Sequence, residues 1–255
     1  MYKALTAQQF KEMLSLPEDY HIDGLLTYGA WDEPKHHAKL CKALDGLGIR
    51  YGSKVLGGFL QHALEIETGG KRYWFSVMYG GALLSEYLHL ACLFGSKKNI
   101  HIGSCGGLYP EMESLDLLIP TWSYGNESTT RIYDRGSEDF KHYPDAGLSA
   151  ELDDKLGGKY QLRKGPVVSI QAMMGETFDD VKSWSEQGYY GVEMETATVF
   201  SVSGHFGVPA SALLYVSDNL IKGQTVHDAS HVMQAGQRDI VKDEVYKVGI
   251  SVLLS

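Results

Sequence analysis

Apolar residues along this chain fall into short runs of strand length, alternating with stretches that repeat every three to four positions. Strands interleaved with amphipathic helices produce that pattern. "DGLLTYG" (23–29) reads as a buried strand ending at a glycine, and "PKHHAKLCKALDGLG" as a helix stopped by glycine. "HALEIETGGKRYWFSVMYGG" alternates on both sides of Gly69 and Gly70, which predicts a hairpin. A helix over about 82–95 follows, then a strand "NIHIG" (99–103), a glycine-rich turn and a strand "LDLLIP". "PVVSI" (166–170) and "ASALLYVSD" (210–218) read as further strands, and about 229–253 as a helical tail. Near the start, Thr6 and Gln9 are spaced as a capping box. Residues 121–148 are polar and turn-rich, and read as a surface loop or an oligomer contact. With no repeat, low-complexity tract or linker, the expectation is one α/β domain over 1–255, a mixed central sheet flanked by helices on both sides.

Composition narrows the function classes. The 255 residues are 44% hydrophobic and 22% charged, an ordinary globular balance. A net charge of −9 without a dense Lys/Arg cluster argues against nucleic acid as a partner, although a few local cations can still hold a small anion. Cys41, Cys92 and Cys105 are widely spaced, odd in number and form no CxxC pair, which fits a reducing compartment. The most apolar helical stretch, "GALLSEYLHLACLFG", is broken by Glu86 and His89 and is too short to span a bilayer. With no apolar signal core at the N-terminus, a cytoplasmic protein without a membrane partner is expected.

Three strand-end motifs carry candidate chemistry, because ligands of α/β sheets gather beyond the strand ends. "GSCGG" (103–107) can be a tight turn, or an anion site in which backbone N–H groups and the Ser104 hydroxyl face an oxyanion. Its G-x-C-x-G form also permits a nucleophile elbow at Cys105, but an elbow needs a helix directly after the thiol and "LYPEMESLDLLIP" does not look like one. In "GVEMETATVF" (191–200), Glu193 and Glu195 would point to one side of a strand, with a helix starting near Thr196. A sugar is a natural partner for such a pair: a carboxylate accepts two hydroxyl hydrogen bonds, and Met194 can pack on the ring face. Asp218 ends the apolar strand and is either a cap or a general acid or base whose pKa partial burial raises. His227 and His231 have i, i+4 spacing but no third ligand, so no metal is expected and they read as surface residues of the last helix.

"GSCGGL" after a strand, "GVEMETAT" entering a helix and "LLYVSDN" ending a strand, with the weaker "SVMYGGALLS", resemble the nucleoside phosphorylase/nucleosidase superfamily. That superfamily includes bacterial purine nucleoside phosphorylases, uridine phosphorylases and AMP nucleosidases. The resemblance implies that Ser104 and its flanking glycines line the anion and sugar site. It implies that Glu195 holds the ribose 2′- and 3′-hydroxyls, that Met194 packs on the sugar and that Glu193 supports the sugar or base pocket. Asp218 resembles the acid that protonates a departing purine at N7, and Met173 in "SIQAMMGE" falls where relatives place a residue beside the base. The Gln-x-Arg pair that reads uracil is missing, which favours a purine.

The chain departs from the family at the phosphate site, where three arginines are expected. It offers Gly29 with Lys35 nearby, Lys54 ahead of "LGGF", and His101 in place of an arginine. Lysine keeps charge but loses the bidentate fork, and His101 carries only partial charge at neutral pH unless an anion raises its pKa. The resemblance therefore implies cleavage of a purine nucleoside by inorganic phosphate, without other cofactor, in a homo-oligomer (a dimer or a trimer of dimers) where Lys54 serves a neighbouring subunit. Hydrolysis on the same scaffold is the alternative, since AMP nucleosidases share "METAT" and a glycine after "VSD", here Gly223. A member that binds a nucleoside without turning it over, and a Cys105 hydrolase, complete the set.

Overall fold

The computed structural model describes residues 1–255, apart from the side chain of Ser230. Its strands are β1 (Gly24–Gly29), β2 (Gly52–Val55), β3 (Ala63–Thr68), β4 (Lys71–Met78), β5 (Asn99–Gly107), β6 (Leu117–Tyr124), β7 (Lys141–His142), β8 (Leu162–Ser169), β9 (Gly191–Glu193) and β10 (Ala210–Asn219). The helices are α1 (Ala7–Met13), α2 (Glu33–Gly46), α3 (Gly81–Leu93), α4 (Ser128–Tyr133), α5 (Ala146–Leu156), α6 (Phe178–Glu186), α7 (Thr196–Phe206), α8 (Ala229–Met233) and α9 (Ala235–Leu254). Local chemistry sets many of the boundaries. Thr6 and Gln9 close the capping box of α1 as expected, and Asp32 and Asp145 accept from the third backbone N–H of α2 and α5. Gly157 and Gly207 end α5 and α7 in the left-handed region that favours glycine.

The sheet is mixed. β4, β1, β5 and β10 run parallel, with β3 and β2 added antiparallel as a meander beyond β4. On its other side β10 pairs with β6, β6 with β8, β8 with β9, and β9 returns to β5. Since β5 also pairs with β10, the strands β5, β10, β6, β8 and β9 form a closed ring. One face of the sheet packs on α2, α5 and α9 through Leu40, Leu44, Leu152, Leu156, Val245 and Ile250. The opposite face packs on α1, α3 and α7 through Phe10, Leu84, Leu88, Val199 and Val202. The expected single α/β domain with helices on both sides of a mixed sheet is what forms.

Three expectations need correction. "GSCGG" is not a turn: β5 runs straight through it, and its glycines admit neighbours rather than bend the chain. A Cβ on Gly106 would lie 2.5 Å from Leu220, and one on Gly107 3.0 Å from Val216. Segment 121–148 is not a plain loop, since it holds the end of β6, all of α4 and β7 and the start of α5. The helical tail is divided in two, α8 and α9. Among the described residues, no helix is long and apolar enough to cross a membrane.

Candidate active site

The two acids of "GVEME" sit where β9 hands over to α7, and both are buried. Glu193 is committed to the frame. Its Oε2 accepts from the backbone N–H of Glu195 (2.7 Å) and Thr196 (2.6 Å), supplying partners for the start of α7, and Oε1 accepts from the Ser169 hydroxyl. Ser169 in turn pairs with Ser123 (2.9 Å) and accepts from the Ala197 N–H (2.9 Å). Glu195 is held at one oxygen only, where Oε1 accepts from the Gly80 N–H (2.7 Å). Its other oxygen lies against Gly29 at the end of β1.

Burial first, then the neighbouring Glu193, push the Glu195 carboxyl up to about 8. Burial also raises Glu193, against the downward pull of Ser169 and the two N–H donors. Glu193, with three donors, is the natural anion of the pair, and Glu195 holds a proton until a polar partner meets it.

Close approach explains why Gly29 must lack a side chain. A Cβ built there would stand 2.5 Å from Glu195 Oε2 and 2.8 Å from its carboxyl carbon. Gly29→Ala is therefore expected to push the carboxylate off the Gly80 N–H and lower kcat/KM by about tenfold or more, with cooperative unfolding retained. Steady-state kinetics beside a melting curve checks this.

His101, on the adjoining β5, lies with Glu193 and Glu195 so that one donor atom of each falls within 4.8 Å of the others. Its Nδ1 pairs with Thr27 Oγ1 (2.9 Å), while Nε2 is buried without a partner. Burial pushes the imidazole down to about 3, so it is neutral at pH 7 and is not the standing cation that replacement of an arginine called for. The cluster is also where a metal would be sought. Both Glu193 oxygens and one of Glu195 are already hydrogen-bonded, leaving two free donor atoms, fewer than the three or four protein ligands of a usual site.

Asp218 ends β10, 7% exposed, and accepts from the Ser217 hydroxyl. Burial raises its carboxyl, with Ser217, His231 and Arg238 pulling the other way. His231 is consequently not a surface residue of the last helix: it lies on α8, half-buried, with Nδ1 enclosed and unpaired. Cys105 is 2% exposed and burial drives its thiol well above the usual range, so the nucleophile reading has no reactive thiolate.

The apolar candidates separate by depth. Met194 is buried, and its carbonyl accepts from Gln171 Nε2 (2.9 Å), whose Oε1 accepts from the Gly81 N–H (2.8 Å). Gln171 thus ties the glycine corner before α3 to the Glu195 segment, a positioning role that the sequence did not signal. Met173 is 40% exposed and its sulfur receives the Tyr79 hydroxyl (3.6 Å). Tyr79 packs on Trp31 at 4.8 Å between ring centroids, and burial followed by the nearby Glu195 raises its phenol. Trp31, Tyr79 and Met173 therefore form an apolar rim beside Glu195.

The expected anion ligands do not all come together. Ser104 is half-buried beside Tyr215 in register, and Lys35 is exposed in the first turn of α2. Lys54 is exposed on β2, at the outer edge of the sheet. Two surface cavities, of about 520 Å³ at α4 and about 470 Å³ beside the β3–β4 hairpin, contain none of these residues.

Residues 40–242 match the family model described as Phosphorylase superfamily. A guanosine phosphorylase of Halorubrum lacusprofundi is 30% identical over 130 residues, 51% of this chain and 53% of that protein. A purine nucleoside phosphorylase (DeoD-type) of Alkaliphilus metalliredigens is 31% identical over 147 residues, 57% of this chain and 60% of that protein. The matched part thus spans between half and two thirds of these relatives' length. A crystal structure of uridine phosphorylase from Vibrio fischeri ES114, complexed with 6-hydroxy-1-naphthoic acid, superposes with a TM-score of 0.75 at 15% identity, covering 96% of this chain and 97% of that one. That likeness concerns the fold.

Proposed function

The chain belongs to the phosphorylase superfamily, and from that premise we propose that it cleaves the N-glycosidic bond of a purine nucleoside with inorganic phosphate, releasing the base and ribose 1-phosphate. The observation that carries the reading is the pair of unequal acids on the two elements that flank β5, Glu195 just past β9 and Asp218 on β10. Glu195 is buried with one oxygen free, and Asp218 is raised toward its protonated form. The names of the guanosine and purine nucleoside phosphorylases favour a purine.

In this reading the free oxygen of Glu195 takes the ribose 2′- and 3′-hydroxyls, Met194 lies under the sugar, and the Trp31–Tyr79–Met173 rim borders the base. Phosphate attacks C1′ as the glycosidic bond breaks and positive charge develops on the sugar. The bonding pair leaves with the purine, and Asp218 delivers its proton to N7. A positioned acid contributes roughly 10²–10⁴-fold in rate, and orientation supplies much of the remainder. Phosphate is the only co-substrate, the enzyme is a cytoplasmic homo-oligomer (a dimer or a trimer of dimers), and Lys54 reaches a neighbouring subunit's site.

One observation favours a second reading, hydrolysis. His101 stands neutral in the place where an arginine was expected, which weakens the hold on phosphate. Product analysis separates the two. Guanosine, inosine, adenosine, AMP and uridine are incubated with the protein, each with and without phosphate. Phosphorolysis gives base and ribose 1-phosphate only when phosphate is present. Equal base release without phosphate, with free ribose or ribose 5-phosphate, overturns it in favour of hydrolysis.

A further inference from the structure

Helix α9 lays one stripe of residues, Arg238, Lys242, Tyr246 and Gly249, across β1, β5 and β10. Gly249 lies against Ile102 and Leu26, and Tyr246 stacks on Tyr28 at 5.3 Å and 4°. One turn nearer the strand ends, the Lys242 ammonium sits 5.6 Å from the centre of the Tyr215 ring, and Tyr215 is the register neighbour of Ser104. Arg238 is 8% exposed and donates to the His231 carbonyl (2.6 Å).

Carboxylates act on these cations only from a distance: Asp239 faces Lys242 while pairing with Lys39 (3.3 Å), Asp218 faces Arg238, and Asp243 pairs with Lys39 (2.9 Å) and Lys42 (2.7 Å). Among the described residues, neither Lys242 nor Lys35 has a carboxylate within 4.0 Å. The Tyr28 hydroxyl and Arg238 Nε are buried without hydrogen-bond partners. Burial and then Lys35 press Lys242 down to about 8, and burial followed by Lys242 and Lys35 presses His36 down to about 4. A half-buried ammonium among other cations and orphaned donors is costly unless an anion completes it.

We propose that Lys242, Arg238 and Lys35, with the hydroxyls of Tyr28, Tyr215 and Ser104, form a cradle for a phosphate group. Cations on one side and hydroxyls on the other suit the several acceptor oxygens of a phosphate better than a planar carboxylate. The cradle replaces the missing arginines with cations from a different element, and it rests on the glycosidic-cleavage reading for its role. Its phosphate is either the inorganic nucleophile or the 5′-phosphate of a nucleotide.

The test is calorimetric titration of the full chain with inorganic phosphate and, separately, with GMP, for the wild type, Lys242→Gln, Lys242→Arg and the double variant Lys35→Gln/Lys242→Gln. Melting curves verify folding. At least tenfold weaker binding of one or both ligands in Lys242→Gln, a further loss in the double variant and substantial recovery in Lys242→Arg are expected. Loss confined to inorganic phosphate, together with a raised KM for phosphate at unchanged nucleoside KM, identifies the nucleophile. Loss confined to GMP identifies a nucleotide 5′-phosphate. Wild-type affinity in both glutamine variants, or no binding of either ligand by wild type at millimolar concentration, overturns the cradle. Phosphate-dependent base release with an unchanged phosphate KM in Lys242→Gln overturns the cradle and leaves the proposed function standing. Lys242-dependent binding without base release keeps the cradle and removes that function.

Discussion

Asp218→Asn is expected to lower kcat of the proposed cleavage by about 10²–10⁴-fold while changing KM by less than about threefold. Asparagine fills the same space and can still accept from the Ser217 hydroxyl, so the end of β10 keeps its shape. It cannot deliver a proton to a departing base. Burial raises the Asp218 carboxyl, which keeps the acid form populated further up the pH scale than an exposed aspartate would be. Wild-type kcat should therefore fall as pH rises through that elevated pKa, and the variant should lose this limb of the profile. Single-turnover rates across pH check both features. A variant with wild-type kcat, or with the limb intact, would place the acid elsewhere.

Glu195→Gln should do something less usual: stabilise the protein while disabling it. The carboxyl titrates near 4.5 when unfolded and about 8 when folded. Its folded-state pKa is raised, so the folded form binds the extra proton and stability declines as pH climbs between those values. The penalty is absent below about pH 4.5 and fully developed above 8. Glutamine accepts from the Gly80 N–H without carrying charge, and its amide N–H faces the region of the unpaired His101 Nε2. A gain of about 1–2 kcal/mol, or roughly 3–6 °C in Tm, is expected at pH 8.5, shrinking toward zero at pH 4.5. In the role proposed for Glu195, loss of the charged acceptor should weaken nucleoside binding by about 10–100-fold. Melting curves at the two pH values and a nucleoside titration measure both effects. A lower Tm at pH 8.5 would mean that Glu195 is ionised and paired in the free protein.

Features encoded by adjacent residues were legible before the structure. β1, the β3–β4 hairpin, α3 and β10 follow from apolar spacing and glycine placement, and the capping box of α1 from two residues three apart. The Glu193–Glu195 pair and Asp218 stood out because each sits at a strand end within a short motif. Features that depend on distant contacts were not legible. His101 reaches Glu195 across 94 positions of sequence, and its neutrality comes wholly from burial. The strand character of "GSCGG" arises because β9, β10 and the turn around Leu220 press on its glycines, so the sequence signal for a bend was a signal for close approach. β9 is three residues long, too short to announce itself. Nothing in the spacing of Arg238 and Lys242 marks them, because only the packing of α9 brings the Lys242 ammonium over the Tyr215 ring.

The closed ring of β5, β10, β6, β8 and β9 bears on where the proposed tasks sit. Its circumference is fixed by hydrogen-bond register, so the spacing between Glu195, just past β9, and Asp218, on β10, is set by strand pairing rather than by the chain that connects them. The connections that carry α4, β7, α5 and α6 lie outside the ring, so their lengths do not enter that spacing, although α5 and β7 still pack on the sheet. In the proposed function the two kinds of task are thereby placed on different parts of the fold: strand pairing sets the spacing of the two acids, while Met173, Trp31 and Lys242 stand on segments outside the ring.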